Sequence, residues 1–439
     1  MKLSDLVIFN PKRPLKKGES AAFVEMAAIP ENGRDINRVD EKIFTGGGSK
    51  FANKDTLFAR ITPCLENGKT SLVSGLSDGE VAFGSTEFIV LAAKEPEYDS
   101  DYIYYLSRLE EFRSFARSRM EGTSGRQRVA WQSLADYEYD FPDKKLRKFA
   151  GDVLKKFDDK ILLNNQINQI LEQMAQVLFK SWFVDFEPVK AKITALEAGG
   201  SQEDATLAAM TAISGKDADA LAVFEREHPE QYAEFKATAE LFPSAMQDSE
   251  LGDIPEGWNS QRFSNIATLH YGKALKKTER IEGPYSVYGS GGITGSHNSY
   301  LVEGPSIIVG RKGSIGTLYW EDGKFHPIDT VYYVSNKDGV PLSYLYYLMK
   351  TLNLSSMNTD AAVPGLNRDN VYRLEVLKPI QSILNKFNNH ILAIRNMIQK
   401  NNFSTATLTT LRDTLLPKLL SGEITLPEVE QAVSEAENV

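Results

Sequence analysis

Two kinds of short segment concentrate the polar chemistry of this chain, and both combine glycine with arginine or lysine. Val309-Gly310-Arg311-Lys312-Gly313-Ser314-Ile315-Gly316 follows an apolar run. Its glycines would let backbone N–H groups approach a phosphate, Arg311, Lys312 and Ser314 would add charge and hydrogen bonds, and the Arg311 fork fits the two acceptors of a guanine edge. The matching strand end earlier in the chain is Leu57-Phe58-Ala59-Arg60. The second kind is Thr123-Ser124-Gly125-Arg126-Gln127-Arg128, matched later by Pro364-Gly365-Leu366-Asn367-Arg368. Arg, Gln and Asn are the side chains that pair bidentately with base edges. Any one of these loops alone reads as a solvated turn, and recurrence at equivalent places favours a DNA-binding surface. Arg13, Lys16 and Lys17 are matched by Lys273, Lys276 and Lys277 and suit phosphate positioning, with a solvated edge turn as the alternative. His326, opening His-Pro-Ile-Asp-Thr-Val-Tyr-Tyr-Val beside a basic loop, joins the same candidate set.

Signatures of catalysis are missing from the sequence. No GxxxxGK[ST] phosphate loop occurs, and Gly-Ser-Gly-Gly-Ile-Thr-Gly-Ser at 289–296 lacks the lysine such a loop needs. Asn10-Pro11-Lys12-Arg13 shares only its first two residues with the Asn-Pro-Pro-aromatic motif of amino-methyltransferases. Asp143-Lys144-Lys145 reads as a helix start, not a nuclease motif. His228, His270, His297 and His390 have no metal-ligand spacing and no nucleophile partner, and Cys64 is the single cysteine, so no metal site and no intrachain disulfide are expected. The expectation is a chain without catalytic residues or a bound cofactor.

With 439 residues, 42% hydrophobic and 25% charged, the chain is a multidomain globular protein. It has no run of eighteen apolar residues and no secretory leader, which places it in the cytoplasm. The net charge of −9 is misleading as an argument against DNA. Residues 191–256 hold fourteen acidic side chains against four basic ones, so the rest of the chain carries +1. Near neutrality with local basic loops permits a polyanionic partner.

These loops are positioned by a repeat. Leu3–Lys17 aligns without gaps to Phe263–Lys277, and Asp101–Arg108 (DYIYYLSR) aligns to Ser343–Lys350 (SYLYYLMK). Each copy begins with short strand-like runs, such as Glu87–Leu91 and Ser306–Val309, between glycine-rich turns, then a buried helix carrying Tyr102, Tyr104 and Tyr105 or Tyr344, Tyr346 and Tyr347. Each copy ends in a long helix. In the first, Leu163, Ile167, Ile170, Met174 and Val177 alternate spacings of four and three; in the second, Phe387, Ile391, Ile394 and Ile398, then Leu408, Leu411 and Leu415, do the same. These are read as seams for another helix, each helix being the natural antiparallel partner of the other, with packing on its own domain as the alternative. The predicted boundaries are a recognition domain at 1–142, a helix at 143–187, an acidic linker or helical insert at 188–256, a second recognition domain at 257–379, a helix at 380–422 and an acidic tail at 423–439. The fold class is α+β: two β-rich domains related by a pseudo-two-fold repeat and joined by two long antiparallel coiled-coil helices.

Three segments carry a family resemblance: Ala175–Phe186 (AQVLFKSWFVDF), Leu251–Trp258 (LGDIPEGW) and Leu415–Ile424 (LLPKLLSGEI). With the repeated domain-helix order they resemble the specificity subunits of type I restriction-modification systems. The resemblance implies a non-catalytic subunit whose two target recognition domains each read one half of a bipartite, asymmetric DNA sequence, the helices fixing the spacer. It also implies partners: two methylation subunits that hold S-adenosylmethionine and methylate adenine, and two restriction subunits that use ATP and Mg. The first copy lacks the Gly257-Trp258 lead-in of the second, so its closure is expected to depend on the C-terminal helix and tail. A duplicated protein-binding scaffold on a coiled coil is the competing reading from residues alone, and a self-sufficient nuclease or methyltransferase is disfavoured by the missing motifs.

Overall fold

A computed structural model describes residues 1–123, 125–358 and 365–424; Ser124 and Pro364 of the basic loops and the acidic tail from 425 onward lie outside the described residues. The chain divides into two compact units, one built from residues 1–167 and 400 onward, the other from 168–399.

Each unit holds two four-stranded sheets, and the strand orders repeat. In the first unit one sheet runs Val7–Phe9, Phe88–Ala93, Thr56–Ala59, Thr70–Leu72, all antiparallel. The other runs Asp40–Ile43, Ser20–Val24, Ala82–Gly84, Ser49–Phe51, with a parallel pairing between its two middle strands. In the second unit the same orders appear as Ala267–Tyr271, Val331–Asn336, Ser306–Gly310, Leu318–Glu321 and as Gly292–His297, Tyr285–Gly289, Lys324–Pro327, Val302–Glu303, again with one parallel central pair.

The central strand Phe88–Ala93 is buried at all six positions because both of its faces are covered. Ile89, Leu91 and Ala93 enter a core with Tyr102 and Phe112 of the following helices, while Phe88 and Val90 enter a separate core with Val24 and Phe51 of the second sheet. Period-two alternation thus divides one apolar run between two cores. The tyrosine helices, Pro96–Arg108 and Leu342–Thr351, bury Tyr102, Tyr104 and Tyr105 and their counterparts Tyr344, Tyr346 and Tyr347.

The long helices span Lys144–Phe183 and Gln381–Ser421. Asp143 starts the first, its carboxylate accepting from the backbone N–H of Lys145 (2.8 Å) and Leu146 (3.2 Å). Within the first unit the two helices meet through Arg412 and Asp158 (2.6 Å) and through the Asn164 amide with Ser404 and Thr405 (3.3 and 3.4 Å). Within the second unit Phe179 and Trp182 lie 5.8 and 6.1 Å from the Phe387 ring, and Arg395 approaches Glu172. Contacts that advance along one helix retreat along the other, so the paired halves run antiparallel in each unit.

The buried face of the first helix is not the one its apolar spacing indicated. Asn164, Leu171, Ala175, Phe179 and Trp182 are buried, whereas Leu163, Ile170, Met174 and Val177 are exposed, Ile170 to 56% and Val177 to 67%; Ile167 is half-buried. The inward face is set by what lies opposite it: the Asn164 amide meets Ser404 and Thr405, and Phe179 and Trp182 meet Phe387, contacts that aliphatic spacing alone does not reveal. In the second helix Phe387 and Ile391 are buried, Ile394, Ile398, Leu408 and Leu415 half-buried, and Leu411 exposed.

The last turn of the second long helix completes the first unit. Leu419 and Leu420 join the core of Leu3 and Tyr102, and the Tyr102 hydroxyl donates to the Leu420 carbonyl at 2.8 Å. The acidic stretch folds as four short helices, Glu187–Glu197, Gln202–Ser214, Ala218–Glu227 and Pro229–Glu240; the last three share a small core of Ala209, Met210, Leu221 and Ala239, and Val189 of the first joins the main core of the second unit. Among the described residues no helix is long and apolar enough to cross a membrane.

Candidate nucleic-acid interface

The two basic loops of each unit are neighbours, held by the same backbone hydrogen bonds. In the first unit the Arg60 N–H donates to the Glu87 carbonyl (3.0 Å), and the Arg60 carbonyl accepts from the Val129 N–H (2.9 Å). In the second the Arg311 N–H donates to the Thr330 carbonyl (2.8 Å), and the Arg311 carbonyl accepts from the Leu366 N–H (2.8 Å). Isolated β-bridges reinforce both junctions, Ile61 with Arg128 and Lys312 with Gly365. Arg60 is therefore the structural counterpart of Arg311, Glu87 of Thr330, Arg128 of Gly365 and Trp131 of Arg368. Each junction lies at the end of the central strands, just beyond Ala59 or Gly310.

In the second unit aromatic faces orient the arginines. The Arg311 guanidinium lies 4.8 Å from the Tyr271 ring centre and 5.7 Å from that of Tyr332, and donates to the Asp329 carbonyl at 3.1 Å. The Arg368 guanidinium lies 5.0 Å from the same Tyr271 ring and 5.6 Å from Tyr372. Guanidinium groups held over aromatic faces are restrained, and N–H groups not engaged within the protein suit a base edge or a phosphate. Burial pushes the Tyr332 phenol up to about 12, so it stays protonated; its hydroxyl donates to the Leu366 carbonyl at 3.0 Å and ties the two loops together. Asn367 is a helix cap, its side chain accepting from the Asp369 N–H at 2.8 Å with its amide nitrogen left to other partners. Lys312 and Ser314 are exposed.

In the first unit a carboxylate does the orienting. Arg128 forks onto Glu87 through Nε (2.9 Å) and Nη2 (2.6 Å), and this pairing, with Arg60 and Arg126 close by, holds the Glu87 carboxyl below the usual range. The Gln127 backbone is locked to Thr62, accepting from its N–H (3.0 Å) and donating to its hydroxyl (3.1 Å), while Arg126 is exposed. Arg60 lines a groove of about 410 Å³ with Lys12, Lys50, Asn10 and Thr86. The exposed lysine turns recur in detail: the Lys16 N–H meets the Glu19 carboxylate at 3.2 Å and the Lys276 N–H meets Glu279 at 3.3 Å. Lys17, Lys273 and Lys277 are exposed as well.

Three expectations are corrected. Arg13 is not a free phosphate ligand, because its guanidinium is held by buried Asp55 at 2.6 Å. His326 is only 8% exposed, packs edge-on against His297 with Lys273 close by, and burial lowers its pKa, so little of its ring is open to a duplex. Two of the three glycines of 309–316 do not offer their N–H groups to an anion, since Gly310 donates to the Thr317 carbonyl and Gly316 to the Gly310 carbonyl, both at 2.8 Å. Those glycines serve close packing: a Cβ on Gly310 would stand 2.0 Å from the Ser314 carbonyl oxygen.

Glu87, Tyr271 and Trp131 were not among the residues singled out from sequence. Trp131, half-stacked on Phe9 at 5.7 Å, opens a helix directly behind the first basic loop, and an exposed tryptophan after an arginine cluster is a usable signal. Glu87 carried none, because only strand register brings it opposite Arg128.

Residues 255–402 match the family model described as the type I restriction modification DNA specificity domain. The chain is 30% identical over 415 residues to the HindI specificity subunit of type I restriction enzymes from Haemophilus influenzae, covering 87% of this chain and 89% of that protein. It is 23% identical over 364 residues to the MjaIX specificity subunit from Methanocaldococcus jannaschii, covering 75% of this chain and 70% of that one. A crystal structure of a type I restriction-modification system S subunit from M. genitalium aligns with 96% of this chain and 95% of its own, at 17% identity and a TM-score of 0.49.

Proposed function

The chain belongs to the specificity subunits of type I restriction enzymes, and from that premise we propose that each sheet-built domain reads one half of a bipartite DNA target through its two adjoining basic loops. The carrying observation is the recurrence of one junction in both domains: Arg60 or Arg311 at a strand end, hydrogen-bonded through its carbonyl to a second loop that brings Arg126 and Arg128, or Asn367 and Arg368. Arg311, Arg368 and Arg126 are the base-reading candidates, with Gln127, Asn367, Lys312 and Ser314 beside them. Lys16, Lys17, Lys273, Lys276 and Lys277 contact phosphates and set register. The chain itself carries out no chemistry in this reading; S-adenosylmethionine, ATP and Mg belong to the methylation and restriction subunits it directs.

The exposed apolar stripe Ile170, Met174 and Val177 of the first long helix is the docking face for a methylation subunit. Exposed aliphatic residues at helical spacing on an otherwise polar surface are an interface signature. The helices, each about 60 Å long at about 1.5 Å per residue, would fix the distance between half-sites.

Adenine methylation mapping tests the reading: cells carrying this chain with its methylation subunit are compared with cells lacking the chain. A new bipartite motif, with a methylated adenine on each strand, is the expected result. A stable complex that adds no chain-dependent motif would sink it.

A further inference from the structure

The two loop junctions share a backbone but differ in what holds the arginine. Arg311 and Arg368 rest on tyrosine faces, whereas Arg128 is clamped by the Glu87 carboxylate at the position occupied by Thr330 in the second domain. The Glu87 side chain is itself 24% exposed and stands among Arg60, Arg126 and Arg128. A half-exposed ion pair of this kind contributes little to stability, so its stabilising value does not explain a negative charge at the centre of a basic surface. Its effect on a polyanion is larger. A carboxylate facing a duplex repels phosphate oxygens and the acceptors of guanine and thymine, and it is compensated only where an exocyclic amino group donates to it. In the major groove those donors are N4 of cytosine and N6 of adenine.

We infer that Glu87 is a specificity-determining residue of the first domain, accepting a hydrogen bond from the amino group of a cytosine or adenine in its half-site and excluding sequences that place an acceptor there. Arg128, held parallel to Glu87 by the fork, then presents its remaining donors to the neighbouring acceptor or phosphate. Thr330, which can donate as well as accept, makes no such demand in the second domain. This inference rests on the proposed DNA-reading role of the domain.

The test is Glu87→Gln in the full chain with its methylation subunit, read by adenine methylation mapping and by binding of the complex to an unrelated duplex. Gln keeps the shape and the hydrogen-bonding reach while removing the charge and adding donors. The expected result is a motif that relaxes at one base pair of one half-site, with the other half-site unchanged, and a rise of about tenfold in affinity for unrelated DNA, the lower part of the range one base contact discriminates. Thr330→Glu is the converse variant, and should narrow the other half-site. An unchanged motif from an active Glu87→Gln complex overturns the inference. So does loss of methylation from an assembled complex in both Glu87→Gln and Glu87→Asp, which would make Glu87 a support for the loops. Failure of the DNA-reading role itself is distinct, because the wild-type chain would then confer no motif.

Discussion

The carboxylate of Asp158 on the first long helix receives the guanidinium of Arg412 on the second at 2.6 Å and, on its other oxygen, the Tyr105 hydroxyl at 2.7 Å. Both charged side chains are nearly buried, and the tyrosine comes from the helix that follows the first sheet. One carboxylate therefore ties the domain to both helices. Removing one member of such a buried pair leaves the other charge without compensation, so Asp158→Ala is expected to lower stability by about 3–5 kcal/mol. Joint replacement of Asp158 by Leu, Arg412 by Met and Tyr105 by Phe, which leaves no member of the cluster unpaired, should recover much of that loss. Denaturant unfolding of the two variants decides it, and equal destabilisation by both would show that the charges matter less than the packing around them.

The exposed and buried faces of the first long helix give a separable pair of expectations. Met174→Lys and Val177→Lys change side chains that are 56% and 67% exposed, so stability should move by less than about 0.5 kcal/mol. Co-elution with the methylation subunit should fall sharply. Phe179→Ala, in the buried face against Phe387 and Tyr344, should instead destabilise by about 3–5 kcal/mol. Retained co-elution in the lysine variants would remove the docking role from this stripe.

That helix also shows what could be read from sequence and what could not. Its start and approximate length were legible, because 40 residues without proline carry a period of three to four, but its end was not: the helix stops at Phe183 rather than 187, and Phe186 is left-handed before the next helix begins. Its partner face was not, because the helix has two apolar faces, and the inward one is broken by Asn164 and narrowed by Ala175. Periodicity finds an apolar stripe but does not say which surface covers it. The duplicated domains were legible from the aligned Leu3–Lys17 and Phe263–Lys277 segments, whereas their two-sheet order was not, since most strands are three to six residues long and pair across 20 or more positions. The basic loops were found by composition. Their pairing with Glu87 or Tyr271 required the register.

Base-reading and phosphate-contacting residues should separate by salt dependence and sequence. Arg311→Ala or Arg368→Ala is expected to cost about 1–3 kcal/mol on the cognate site and to relax one half-site. Lys276→Ala with Lys277→Ala should weaken cognate and unrelated DNA alike and reduce the slope of log affinity against log salt by about 2. Tyr271→Ala, which removes the ring shared by both arginines, should resemble the arginine variants in specificity without changing the salt slope. Titrations of the complex at several salt concentrations, on matched and mismatched duplexes, distinguish these patterns.

The helices themselves provide the most direct test of how a target's two halves are kept apart. Excising residues 161–167 from the first long helix and 401–407 from the second removes segments that face each other across the antiparallel pair, as the Asn164 contacts with Ser404 and Thr405 locate them. Seven residues are close to two helical turns, so the inward faces stay in phase, and each helix shortens by about 10 Å. At about 3.4 Å per base pair, the half-sites should move together by about three base pairs. The same change rotates one half-site about the duplex by roughly a quarter of a turn or more, given about 10 base pairs per turn. The expected methylation map therefore shows a motif with unchanged half-sites and a shorter spacer, or no methylation where the rotation prevents both domains from engaging. An unchanged motif with its original spacer, from a complex that still assembles, would show that something other than the helices sets the separation.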